Sequence, residues 1–289
     1  MQPWKRMKWL QVVGAALLVL AMAGCGNAKP ENSRVILATT TSTRDTGLLD
    51  YLIPIFEEKT GYSVDYVAVG TGQALAMGQR GEADVLLVHS PADEKKLVED
   101  GTADSRRLVM HNDFIIVGPP DDPAGIKGSK KAAEAFQKIA DAGALFISRG
   151  DESGTHKKEL AIWKQIGLEP AGQTWYQETG SGMADTLNVA AEKGGYCLTD
   201  RGTYLYRKDT LGLDIMVEGD PILLNIYHVM TINPKKFDKV NAEGAKAFAD
   251  FLLAEETQKL IAEYGVDKYG QPLFFADGGK TEEELMNQQ

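Results

Sequence analysis

Three times in this chain an apolar run stops at a short segment of hydroxyl residues or glycines, and a helical pattern begins directly after it. In the first junction Arg34-Val35-Ile36-Leu37-Ala38 meets Thr39-Thr40-Thr41-Ser42-Thr43-Arg44-Asp45-Thr46-Gly47, and residues 48–56 follow with helical spacing. In the second, the alternating residues 62–69 meet Gly70-Thr71-Gly72, and residues 73–80 read as helix. In the third, Ala144-Leu145-Phe146-Ile147 meets Ser148-Arg149-Gly150-Asp151-Glu152-Ser153-Gly154-Thr155-His156 ahead of a helix through Trp163. Strand, turn and helix in that order, repeated, predict an α/β protein with parallel strands and crossover helices. Ligands of such sheets lie at the carboxyl ends of the strands. The unpaired N–H groups of a helix start carry partial positive charge and favour an anion there. One hydroxyl per junction is also explained by helix capping alone, with Arg149 as a solvated loop residue.

The rest of the chain extends the pattern. Residues 84–88 read as strand, followed by His89-Ser90-Pro91 and a helix over 92–99. Residues 108–117 read as a strand broken at Asn112-Asp113, where the chain passes into a second domain. That domain holds the proline-rich loop 119–125, a helix over 129–141, the Arg149 junction and strands at 196–199 and 215–217. It also holds a further hydroxyl and glycine turn, Thr179-Gly180-Ser181-Gly182-Met183, leading into a helix to about Lys193. The extended residues 222–232 read as the return crossing, helices over 241–254 and 256–264 pack back on the first domain, and the tail from Lys280 reads as a partly frayed helix. Domain I is thus 34–112 with 233–289, domain II is 113–232, and 26–33 is a tether.

Residues 1–25 precede the fold. Lys5, Arg6 and Lys8 come before the short apolar run 9–22, which ends at Ala23-Gly24-Cys25. A charged segment, a short apolar core and small residues form a signal peptide, and small residues before a cysteine resemble the lipobox of bacterial lipoproteins. Cys25 is then the lipidated N-terminus, although Met22 stands where leucine is usual. An uncleaved membrane anchor is the alternative, for which the run is short. The expected location is extracytoplasmic, on a membrane through the lipid. With Cys25 acylated, Cys197 has no disulfide partner. Without the leader's three basic residues the chain carries 28 basic against 41 acidic residues, a net charge of −13. That balance argues against nucleic acid as a partner, since phosphate backbones are bound through basic surfaces. It does not argue against a small anion, which feels the local field, screened beyond about 10 Å.

Enzyme signatures fail on spacing. Gly150-Asp151-Glu152-Ser153-Gly154 is not the G-x-S-x-G elbow, so Ser153 as a hydrolase nucleophile is the weaker alternative. Gly279-Lys280-Thr281 lacks the glycine of a phosphate loop, since Phe274 stands in its place. His89, His111, His156 and His228 fall at no metal-ligand spacing, and no metal or cofactor is expected. His89 and His156 sit at the candidate turns, where each could line a pocket or support one.

Four segments together, Thr39-Thr40-Thr41-Ser42-Thr43, Gly70-Thr71-Gly72-Gln73-Ala74, Leu87-Val88-His89-Ser90-Pro91 and Ser148 through His156, resemble the tungstate-binding proteins of bacterial ABC importers, the TupA type. The resemblance runs from about Arg34 to Phe275. It implies a type II periplasmic-binding-protein fold, two α/β domains joined by two crossing strands with the ligand in the interdomain cleft. It implies a monomer that captures tungstate or molybdate and delivers it to an ABC permease, without catalysis. It assigns the oxyanion to Thr40, Thr41, Ser42 and Thr71 on one domain and to Arg149, Ser153 and Thr155 on the other. Phosphate receptors resemble the Arg149 turn too, but place an aspartate in their third turn to accept the proton of monohydrogen phosphate. Here that place falls on His89, and tungstate carries no proton at neutral pH, so the missing carboxylate favours tungstate or molybdate over phosphate. Asp151 and Glu152 are expected to point away from the ligand, pairing with Arg149 or capping the helix, and Arg44 to face solvent beside Asp45.

Overall fold

The computed structural model describes residues 30–287. The expected signal peptide and Cys25 lie outside the described residues. The first lobe opens with β1 (Arg34–Thr40), α1 (Thr41–Asp45), α2 (Leu48–Thr60), β2 (Ser63–Val69), α3 (Thr71–Gln79), β3 (Val85–Val88) and α4 (Pro91–Glu99). β1 lies parallel to both β2 and β3, in the register Leu37↔Tyr66 and Leu37↔Val85. All three strands therefore point their carboxyl ends at one edge, where α1, α3 and α4 begin.

From there β4 (Ala103–Gly118) runs through 16 residues. Its first part pairs antiparallel with β9 (Leu224–Ile232), and residues 114–118 pair with β7 (Cys197–Asp200) and β8 (Asp214–Val217). The expected break at Asn112-Asp113 does not occur. Both polar side chains are satisfied without interrupting the ladder: the Asn225 amide donates to Asn112 at 2.8 Å, and Arg201 grips Asp113 with two bonds of 2.7 and 2.5 Å. A buried polar group that is bonded carries no reason to leave the strand.

The second lobe adds α5 (Ala132–Ala142), β5 (Phe146–Ser148), α6 (Gly154–Gln165), β6 (Tyr176–Glu178), α7 (Met183–Lys193) and α8 (Arg201–Leu211). β5 pairs parallel with β6. β9 pairs with β3 as well as with β4, so residues 224–232 lie in the larger sheet. After it come α9 (Ala242–Leu253), α10 (Glu255–Glu263), α11 (Val266–Tyr269), β10 (Phe275–Ala276) and α12 (Glu282–Asn287). The tail is held, not frayed at its start, because Glu282 accepts from Arg106 at 2.5 Å and from Lys95 at 3.1 Å.

Two main cores follow from the apolar patterns. Val35, Leu37, Leu52, Phe56, Val229, Phe248 and Phe274 fill the first lobe, and Phe56 and Phe248 meet edge to face at 5.1 Å. Phe136, Phe146 and Trp163 interlock in the second, with centroids 4.4 to 5.3 Å apart. Each such aromatic pair adds about 0.5–1.5 kcal/mol beyond area burial. The rigid strands so anchored end at the turns described next.

Candidate functional site

β1 delivers Thr40 as the N-cap of α1. Its Oγ1 accepts from the Thr43 N–H at 3.4 Å, lies 2.8 Å from Thr43 Oγ1 and 3.1 Å from His89 Nε2. His89 follows β3 and is buried, its ring packed on Tyr227 at a centroid distance of 4.8 Å. Burial pushes its pKa down to about 4, against the opposing pull of Glu94 and of a hydrogen bond with Asn225. The imidazole is therefore neutral at pH 7, and it puts no negative charge on this wall. Thr71 opens α3, and its hydroxyl is buried with no hydrogen-bond partner.

The opposite wall is the turn between β5 and α6. Gly150 and Glu152 both take left-handed backbone, with φ of 59° and 58°. A Cβ on Gly150 would lie 2.6 Å from Glu178 Cβ, so only glycine fits there. At Glu152 the strain is held by a bond from its own N–H to His156 Nδ1 at 3.1 Å. With Nδ1 accepting that bond, the ring's N–H lies at Nε2, a buried atom with no hydrogen-bond partner; Glu178 Oε1, at 3.8 Å, is beyond reach. Ser153 caps α6 by accepting from the His156 N–H at 3.3 Å, which leaves its own O–H to donate.

Arg149 is buried to 8 % exposure. It donates to Asp151 Oδ2 at 2.5 Å and, at 3.5 Å, to Thr155 Oγ1, while its Nε has no partner. Asp151 also accepts from the Ser153 N–H at 3.2 Å. Burial raises its carboxyl pKa, but the Ser153 bonds and the Arg149 charge outweigh that and hold it below the usual range. Asp151 thus pairs with Arg149 as expected. The Thr179 turn faces inward: its hydroxyl braces the carbonyls of Ser148 and Arg149 at 3.2 and 3.3 Å.

The two walls touch at Gly154, the first residue of α6. A Cβ there would lie 2.7 Å from His89 Cε1 and 3.4 Å from Thr71 Oγ1. Beside this contact a cavity of about 350 Å³ opens between the lobes, lined by Thr41, Arg44, Arg149, Asp200, Tyr206, Arg207 and Tyr269 among others. Arg44 pairs with Asp45 at 2.7 Å, as expected, and is half-exposed at the rim. Three buried donors near one junction, Arg149 Nε, Thr71 Oγ1 and His156 Nε2, have no acceptor. An unmet buried donor costs about 1–3 kcal/mol and is rare in folded proteins. Among the described residues no group of histidine, cysteine and carboxylate side chains could hold a metal ion.

A family model described as a PBP superfamily domain matches residues 27–256. The tungstate-binding protein TupA of Peptoclostridium acidaminophilum is 50% identical over 280 residues, covering 93% of this chain and 98% of that protein. The chain belongs to the TupA family of that superfamily. Among solved structures it resembles TupA from Desulfovibrio alaskensis G20, with a TM-score of 0.77, 48% identity and coverage of 85% and 99% of the two chains. It also resembles the tungstate ABC transporter structure from Geobacter sulfurreducens, with a TM-score of 0.72, 49% identity and coverage of 80% and 98%. The mixed α/β architecture is that of TupA-type binding proteins, and these relatives are named for binding and transport, not for catalysis.

Of the residues that the TupA resemblance assigned, Arg149 and Thr155 touch each other, and Thr71 faces them across Gly154. Thr41 lines the same cavity as Arg149. Thr40 is bound to His89 and Thr43, Ser153 is a cap, and Ser42 is the second residue of α1. Sequence reasoning did not reach the His89 tie to Thr40 and Asn225, the close approach at Gly154, or Arg207. Asn225 had a signal, a lone amide inside the apolar run 222–232. Arg207 had none, because it stands in a helix, α8, that the sequence did not announce.

Proposed function

We propose that this TupA-family chain captures tungstate outside the cytoplasm and delivers it to the permease of an ABC importer. The observation that carries the reading is a pair of unpartnered buried donors from opposite lobes, Thr71 Oγ1 at the Gly154 contact and Arg149 Nε in the turn that leads to Gly154. A tetrahedral dianion supplies acceptors to both at once, and charge-assisted bonds gain strength in a dry cleft. His89 supports tungstate or molybdate over phosphate: kept neutral by burial, it offers no carboxylate to take up the proton of monohydrogen phosphate.

The oxyanion ligands in this reading are Thr40, Thr41, Ser42 and Thr71 from the first lobe, and Arg149, Ser153 and Thr155 from the second. The pairing of β9 supports a return into the first lobe at about Leu224, so that 34–112 and 224–289 close on the body between them. Cys25 carries the lipid that holds a monomeric receptor at the membrane, and Cys25→Ala releases it if that is so. Retention of the variant on membranes would make the leader an uncleaved anchor. Hydrolysis through Ser153 is disfavoured because His156 Nδ1 is already bonded to the Glu152 N–H and cannot take a serine proton.

Calorimetry of the chain against tungstate, molybdate, phosphate and sulfate tests the proposal. Tight tungstate binding with phosphate at least about a hundredfold weaker, a difference of about 2.7 kcal/mol, is the expected result. Phosphate binding comparable to tungstate, or no heat with any oxyanion, would overturn it.

A further inference from the structure

Every described arginine but one has an acidic partner. Arg34, Arg44, Arg80, Arg106, Arg107, Arg149 and Arg201 each pair with an aspartate or glutamate within 2.9 Å. Arg207 has none. Its Nη2 donates to the neutral amide oxygen of Asn188 at 3.0 Å, and its Nε is buried without any acceptor. It lines the cavity of about 350 Å³ between the lobes, the same cavity that Arg149 lines from within.

The other charges on this cavity are already spoken for. Asp45 is held by Arg44, and Asp200 caps α8 through the Thr203 N–H and hydroxyl, both at 2.8 Å. Arg149 has its own counter-ion in Asp151. Arg207 is thus the uncompensated positive charge of the cavity. A half-buried cation without a counter-ion is costly to a folded chain, so its persistence points to a ligand of opposite charge. The setting adds a reason: a chain with 31 basic and 41 acidic residues repels a dianion at long range. Such a ligand enters only where a local cation overcomes that field inside the screening length of about 8–10 Å.

We infer that Arg207 is the landing cation of the interlobe cavity, which first holds a doubly charged tetrahedral oxyanion and passes it to the Arg149 turn. The inference rests on the proposed oxyanion function and adds an entry subsite to it. A landing site acts on association, whereas a ligand of the bound state acts on dissociation. Steering also needs only a point charge, so lysine should replace Arg207 where it could not replace a planar donor fork.

The test is stopped-flow mixing of the full chain, in detergent, with sodium tungstate, followed by intrinsic fluorescence. At about 20 mM ionic strength, Arg207→Gln should slow association about five- to tenfold, and in about 0.5 M salt the difference should fall below about twofold. Dissociation should change less than about twofold, and Arg207→Lys should restore most of the association rate. Lys208→Gln removes the same charge from the exposed side of α8 and should leave association within about twofold. Wild-type association in Arg207→Gln at low salt, or an effect confined to dissociation, would overturn the inference. Failure of the wild-type chain to bind tungstate at all would defeat the proposed function, and this inference with it.

Discussion

Replacing Gly154 by alanine separates binding from folding. Gly154 is not among the residues with positive φ, so alanine accepts its backbone, and at the start of a helix it costs nothing in propensity. Its Cβ, however, would lie 2.7 Å from His89 Cε1, where carbon atoms rest at about 3.5–4.0 Å. His89 cannot swing aside easily, since it is buried, stacked on Tyr227 and bonded to Thr40. The lobes must therefore stay about 1 Å further apart, enough to stretch a hydrogen bond of about 2.9 Å beyond its working range. The ligand then loses one wall, with a charge-assisted bond of about 1.5–3 kcal/mol from Arg149 and about 1 kcal/mol from a hydroxyl. A loss of about 2–4 kcal/mol raises Kd roughly 30- to 1,000-fold. Calorimetry reads that loss, and thermal melting without ligand should show a Tm no lower than wild type. A variant with Kd within about threefold of wild type would refute the reasoning, because the walls would then not meet at Gly154 around the ligand.

Arg149→Ala should weaken tungstate binding by more than about a hundredfold, since it removes a charge-assisted donor and leaves Asp151 without its counter-ion; Thr155→Ala should cost about tenfold, and equal effects in calorimetry would displace Arg149 from the site. Arg149→Lys should fall between, because an ammonium cannot reproduce the planar fork. His89 stays neutral until pH approaches about 4, so its ionisation should leave tungstate affinity level between pH 8 and about 5.5. His89→Asp should instead lower tungstate affinity while raising the phosphate-to-tungstate ratio, and an unchanged ratio would remove His89 from selectivity. Glu159 of α6, buried under Tyr176 (2.7 Å) and Trp163 (3.2 Å), is pushed up to about 7 by burial from an ordinary value of 4.5. Between those values the folded chain holds a proton that the unfolded chain does not, so this group loses stability as pH rises through the window. Glu159→Gln should match wild type below about pH 4.5 and exceed it by up to about 3 kcal/mol at pH 8 in urea melts; a gap that does not grow with pH would refute the assignment.

The turns were legible because they are local. Thr40 caps a helix, Gly70 and Thr71 open one, and Ser153 caps another, all from chemistry that neighbours in sequence settle. The Arg149 turn likewise offered Asp151 and Glu152 as partners of Arg149 or caps of the helix, and Asp151, two residues away, is the one that pairs with Arg149. The Asn112-Asp113 break was misread for the converse reason. Its two side chains are satisfied by Asn225 and Arg201, 113 and 88 residues distant, and no local reading sees such partners.

By itself, then, the sequence determined the repeating strand, turn and helix, the parallel pairing of β1 with β2 and β3, and the kind of chemistry each turn could offer. It did not determine the antiparallel pairing of β9 with β3 and β4 or of β7, β8 and β10 with β4. Hydrophobic period and capping residues act over a few positions, and they are written where they act. Only the tertiary structure decided which turns face each other. Gly154 must be small because His89 and Thr71 arrive opposite it, His89 is neutral because the lobe around it excludes water, and Arg207 matters because α8 carries it to a cavity where neither Asp45 nor Asp200 pairs with it. Those are properties of distances and of burial, which depend on how elements far apart in the chain come to lie side by side.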